Sequence, residues 1–201
     1  VYPRHSHKPR AFIMKKWAFF LLALMVSAQA LAVTVEGKEF EPSVNVNGKT
    51  LKLVGAGLRE KGWMDVYVLG AYTETGSCRP ANVIKDEEVK YLRFQMLRDV
   101  KGSKMASTIG KAFDDAIPDD ADPSLRSQRD VFKSYFKETV RKNQTMEFTY
   151  APGQGVVFRQ DGKQLGAPLQ GKSFQEVLWS IYFGPKTCCR ELRDSILAEC
   201  N

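Results

Sequence analysis

Leu53-Val54-Gly55-Ala56-Gly57-Leu58-Arg59-Glu60-Lys61, followed after a short connection by Val66-Tyr67-Val68-Leu69-Gly70-Ala71-Tyr72, reads as an apolar strand that ends on a cation and then returns. Side chains along a strand alternate between its faces. Tyr67, Leu69 and Ala71 therefore share one face, and Val66, Val68 and Gly70 the other. Arginine offers a planar fork of donors suited to a carboxylate or an enolate oxygen, and a neighbouring tyrosine hydroxyl adds a donor to the same anion. Arg59 and Tyr67 are thus the candidate site. The bland reading of the same pair is a solvated charge at a strand end and a core-filling ring.

The pattern extends outward from this hairpin. Residues 40–46, 50–56, 66–73 and 89–97 are strand-like, with Asn47-Gly48 as a turn, and predict an antiparallel meander. Met105, Ile109, Ala112, Phe113 and Ala116 recur at helical spacing over 103–116, before Pro118. A second helix is expected over 123–140, with Asp122 as N-cap and Leu125, Val131, Phe132, Tyr135 and Phe136 on its apolar face. Strands return at 145–150, 155–160 and 163–169. Two helices close the chain, 173–183 capped by Ser173 and stopped at Gly184-Pro185, and 188–198. Strands and helices in blocks predict an α+β fold, an antiparallel sheet with its helices gathered on one face.

Ahead of this block, Met14-Lys15-Lys16, an apolar run and Gln29-Ala30-Leu31-Ala32 have the form of a secretory signal peptide over 14–32. Residues 1–13 read as a leader or a mis-assigned start, and 33–201 as one domain. The expectation is a periplasmic or secreted protein with no stable membrane anchor after cleavage. Taking the five basic residues of the leader from the 30 in the chain leaves 25 against 23 acids, a net charge of +2. That balance gives no footprint for nucleic acid.

His5 and His7 also lie in the discarded segment, so the expected mature domain has no histidine for a catalytic triad or a zinc site. The acidic run 114–122 lacks the glycine and distal glutamate of a calcium loop, and neither a metal nor a cofactor is expected. Four cysteines, Cys78, Cys188, Cys189 and Cys200, allow three pairings. Adjacent cysteines seldom bridge each other comfortably, so a bridge from Cys78 to the C-terminal region is the expectation.

Gly55-Ala56-Gly57-Leu58-Arg59, Val66 to Tyr72 and Leu97-Arg98-Asp99-Val100, then Tyr150-Ala151-Pro152-Gly153-Gln154-Gly155, Asp161-Gly162-Lys163 and Phe174 through Phe183-Gly184-Pro185, resemble in order the bacterial chalcone isomerase-like proteins. The resemblance implies an open-faced β-sandwich, a curved antiparallel sheet with helices packed on one face and a ligand cleft between them. It also implies one of two activities. Plant members close a chalcone to a flavanone without a cofactor, whereas relatives lacking that activity bind fatty acids through an arginine and a tyrosine. Arg59 matches the arginine of both.

Where the enzymes have a threonine, three residues before the strand glycine, this chain has Tyr67, as similar non-catalytic relatives do. The tyrosine and asparagine that the enzymes carry at the next helix are missing from residues 100–108, and neither Lys101 nor Lys104 can be matched to their lysine. The reading is therefore a small amphipathic carboxylate, such as a fatty acid, held by Arg59 and Tyr67. The alternatives are an intramolecular lyase of chalcone isomerase type with Arg59 as its catalytic cation, and an envelope structural or partner-binding protein.

Overall fold

The computed structural model describes residues 32–198. The expected leader and, but for Ala32, the expected signal peptide lie outside the described residues, as does Cys200. The elements run β1 (Val33–Val35), β2 (Lys38–Phe40), β3 (Ser43–Val46), β4 (Lys49–Lys61), β5 (Met64–Thr73), α1 (Pro80–Lys85), β6 (Lys90–Met96), α2 (Gly102–Ala116), α3 (Ser124–Ser134), β7 (Thr145–Ala151), β8 (Gly155–Gln160), β9 (Lys163–Gln164), α4 (Lys172–Phe183) and α5 (Arg190–Ala198). Strands β3 to β9 pair in chain order, each antiparallel to the next, into one curled seven-stranded sheet. Short connections between sequential strands favour that order.

The alternation read from Val66 to Tyr72 decides what each face of the sheet meets. Leu69, Leu92, Phe94, Phe148 and Phe158 face the helices, packing with Phe113 of α2, Phe132 of α3, Phe174 and Trp179 of α4 and Leu192 of α5. On the opposite face a separate ribbon, β1 with β2, lays Phe40 over Leu51, Val68 and Tyr72. Two glycines permit these approaches. A Cβ at Gly70 would lie 2.3 Å from Phe40 Cδ1, and one at Gly57 would lie 3.0 Å from Leu192 Cδ1. The helices stand on one face, as the block order predicts.

Several boundaries differ from the sequence expectation. Glu41-Pro42 interrupts what reads as one strand over 40–46, because proline has no N–H for a ladder. Helix α3 stops at Ser134, and Val140 instead exchanges both backbone hydrogen bonds with Val100, at 2.8 and 2.9 Å. Gly171, not Ser173, occupies the N-cap of α4. Pro123, not Asp122, occupies the N-cap of α3, although Asp122 Oδ1 accepts from the Ser124 N–H at 2.7 Å.

Lys90, fully buried at the start of β6, is the one lysine in the core of the described residues. Its Nζ donates to the Ile84 carbonyl at 2.8 Å, and Gln175 Nε2 of α4 donates to the same oxygen at 2.9 Å. Sheet, α1 and α4 are thus joined at a helix C-terminus, where a cation is favoured. Burial nonetheless lowers the Lys90 pKa to about 8, against partial support from Glu88, Asp86 and Glu176. A folded-state pKa below the unfolded 10.5 means that the folded protein binds fewer protons between the two values. Stability conferred at this position therefore rises with pH across that window, by on the order of 1–3 kcal/mol. Urea unfolding of wild type and Lys90→Met at pH 7.5 and 10 reads it. The difference in stability between them should shift toward the wild type at the higher pH, whereas a pH-independent difference contradicts the assignment.

Candidate ligand-binding site

Between the sheet and helices α2 and α4 lies a cavity of about 760 Å³. That size suits a small organic ligand. Arg59 at the end of β4 and Tyr67 of β5 are direct cross-strand partners, so the hairpin itself sets them side by side. Both line the cavity. The register slips just past this pair, between Arg59 and Glu60, and the guanidinium donates to the Glu60 carbonyl.

Tyr67 packs edge-on against Phe94 of β6, with ring centroids 5.2 Å apart and planes at 77°. Tyr182 of α4 reaches the same ring from the helix side, at 5.5 Å. Phe94 therefore holds two tyrosines beside one arginine. Burial pushes the Tyr67 hydroxyl up to about 12 while the Arg59 charge pulls it down. Tyr182 is raised well above the usual tyrosine range by burial and by Tyr67, again opposed by Arg59. Both phenols stay protonated at neutral pH and serve as donors, not bases. Among the described residues neither hydroxyl has a hydrogen-bond partner. A carboxylate accepts several hydrogen bonds, and both hydroxyls lie within the electrostatic reach of the Arg59 guanidinium that would pair with it.

Between sheet and helices the cavity also has an apolar wall. Met96, Met105, Ile109, Met146, Phe148 and Ile181 supply it. Methionine's unbranched thioether adapts to irregular shapes, which suits a chain that bends. Lys101 and Lys104, which sequence could not match to a role, also line the cavity, near its exposed side.

The cysteines correct one expectation. Cys188 and Cys189 bridge each other just ahead of α5, and this vicinal disulfide forms part of the cavity wall. Adjacency seemed to disfavour the pair, but the non-helical backbone at 188–189 accommodates it. Cys78 is disulfide-bonded as well; the expected bridge from it to the C-terminal region lies outside the described residues.

The acidic run forms no metal cage. Asp114 pairs with Arg129 and Arg126, and Asp115 with Lys111. Among the described residues no group of three or more histidine, cysteine or carboxylate side chains is placed to hold a metal ion.

A curled antiparallel sheet with helices on one face and a cavity between them defines a chalcone isomerase-like architecture. The chain belongs to the chalcone isomerase-like family, whose model matches residues 32–198. Among solved structures it is similar to a fatty-acid binding protein of Arabidopsis thaliana, with a TM-score of 0.70 at 15% identity, over 85% of this chain and 97% of that one. A comparison with curated proteins gives no match.

Proposed function

We propose that this is an exported binding protein for a fatty acid, with the ligand carboxylate on Arg59, Tyr67 and Tyr182 and the tail in the methionine-rich cavity. The observation that carries the reading is an arginine and two protonated tyrosine hydroxyls without protein partners that line one cavity together with a group of methionine, isoleucine and phenylalanine side chains. The similar Arabidopsis structure, that of a fatty-acid binding protein on the same fold, supports it. Energetically the division of labour is simple. Charge-assisted hydrogen bonds fix the head, and burial of methylenes supplies most of the affinity.

Calorimetric titration with saturated fatty acids of increasing length tests this. Each added methylene should tighten binding roughly fourfold until the cavity is full, since one buried CH₂ contributes about 0.8 kcal/mol. The methyl esters should bind at least about tenfold more weakly than the acids, because they cannot accept a charged pair. An affinity independent of chain length would contradict the assignment of the cavity.

A further inference from the structure

We propose that the hairpin tip between β4 and β5, together with the cationic rim of the cavity, is a docking surface for an anionic lipid bilayer. This rests on the fatty-acid reading above and adds where the ligand enters. Trp63 is 89% exposed, and the only other large exposed apolar side chain among the described residues is Val131. Gly62, with φ +64°, and Trp63 form the two-residue turn that the Lys61–Met64 pair closes. Glycine at the first turn position with positive φ is what a tight hairpin favours. The turn is thus short and braced, and it holds the indole out beyond the sheet.

Directly beneath the tip, Lys61 and Met64 line the cavity, so Trp63 stands at its mouth. Arg98, Lys101 and Lys104 line the same cavity from the connection into α2 and from α2 itself. Among the described residues none of Lys61, Arg98, Lys101 and Lys104 has an ion-pair partner. The two acids of this lining are both engaged, Asp99 accepting from the Lys142 N–H and Asp115 paired with Lys111. Four cations without an ion-pair partner therefore line this one opening, against the two exposed acids of the hairpin, Glu60 and Asp65.

An indole beside lysines is the combination that sits at a bilayer interface, the ring at headgroup level and the ammonium groups on phosphates. Here it surrounds the opening of a cavity suited to an acyl chain. A tryptophan also anchors protein interfaces, but here it stands beside the opening of a cavity with an apolar wall, which favours the bilayer. The bilayer is both the partner this chemistry fits and the reservoir from which an acyl chain comes.

Vesicle sedimentation tests the surface, with full-length wild type and Trp63→Ala prepared alike so that any contribution of the N-terminal apolar run is common to both. The vesicles are phosphatidylcholine alone, or phosphatidylcholine mixed with phosphatidylglycerol. Wild type should prefer the anionic vesicles and lose that preference in high salt. The doubly reversed Lys61→Glu/Lys104→Glu variant should lose about fivefold or more in vesicle affinity per charge removed. Trp63→Ala should weaken vesicle binding while binding fatty acid in solution as wild type does. Equal binding to both vesicle types, or equal binding by Trp63→Ala and wild type, overturns the proposal. If vesicles are bound but no fatty acid is bound in solution, the docking surface stands and the ligand assignment fails.

Discussion

Replacing Arg59 by alanine should weaken fatty-acid binding by roughly 10- to 100-fold, the range expected when a charged hydrogen-bond partner is removed from a buried carboxylate. The effect is large because the surroundings cannot compensate. Tyr67 and Tyr182 would donate but carry no charge at neutral pH, and the apolar wall that would hold the tail is indifferent to the head. Arg59→Lys should fall between the two, since an ammonium keeps the charge but loses the planar fork. Isothermal titration with one fatty acid, read together with the melting temperature of each variant, separates loss of the anchor from loss of fold. The methyl ester supplies an internal control: its weaker binding should change little in Arg59→Ala, because it never had the charged pair to lose.

Phe132→Ala should cost about 3–5 kcal/mol of folding stability, the usual range for truncating a buried aromatic side chain. Phe132 is fully buried, and it is one of only two buried residues of α3, with Leu125. Its ring lies 4.3 Å from Phe158, 5.1 Å from Phe136, 5.8 Å from Phe148 and 6.0 Å from Phe174. One side chain thus joins α3 to two strands and to α4, and the space it leaves is bounded by rigid rings that collapse poorly. Against a total stability of about 5–15 kcal/mol, such a loss is a large share. Urea unfolding measures it directly. A change of less than about 1 kcal/mol would mean that α3 is not anchored through this ring.

The sheet face of the site was legible in the chain because a period of two is unambiguous over Val66 to Tyr72 and because Arg59 ends the preceding apolar strand. The helix face was not. In α4, Phe174, Val177, Leu178, Trp179, Ile181, Tyr182 and Phe183 are all buried, so nothing in the pattern separates the tyrosine that faces the cavity from its neighbours in the core. The tilt and register that bring Tyr182 onto Phe94 are tertiary facts. The same ambiguity extended α3 too far: Tyr135, Phe136 and Val140 sit at helical spacing, yet Val140 is buried by pairing with Val100 in extended backbone. Spacing reports which residues are buried, and it does not report by what.

The remaining differences have local causes. Helix α1 spans only Pro80–Lys85, too short for a periodic signal, and it is held by Lys90 and Gln175 through a carbonyl rather than by a long apolar face. The bridge between Cys188 and Cys189 depends on a backbone path between α4 and α5 that composition does not encode.

The most direct measurement is mass spectrometry of the small molecules extracted from the protein purified from its expressing cells, beside Arg59→Ala prepared identically. The account predicts fatty acids in stoichiometric proportion to the wild-type protein and their depletion in the variant. Wild-type protein carrying no fatty acid, and acquiring none when incubated with it, would contradict the assignment of this cavity as a fatty-acid site.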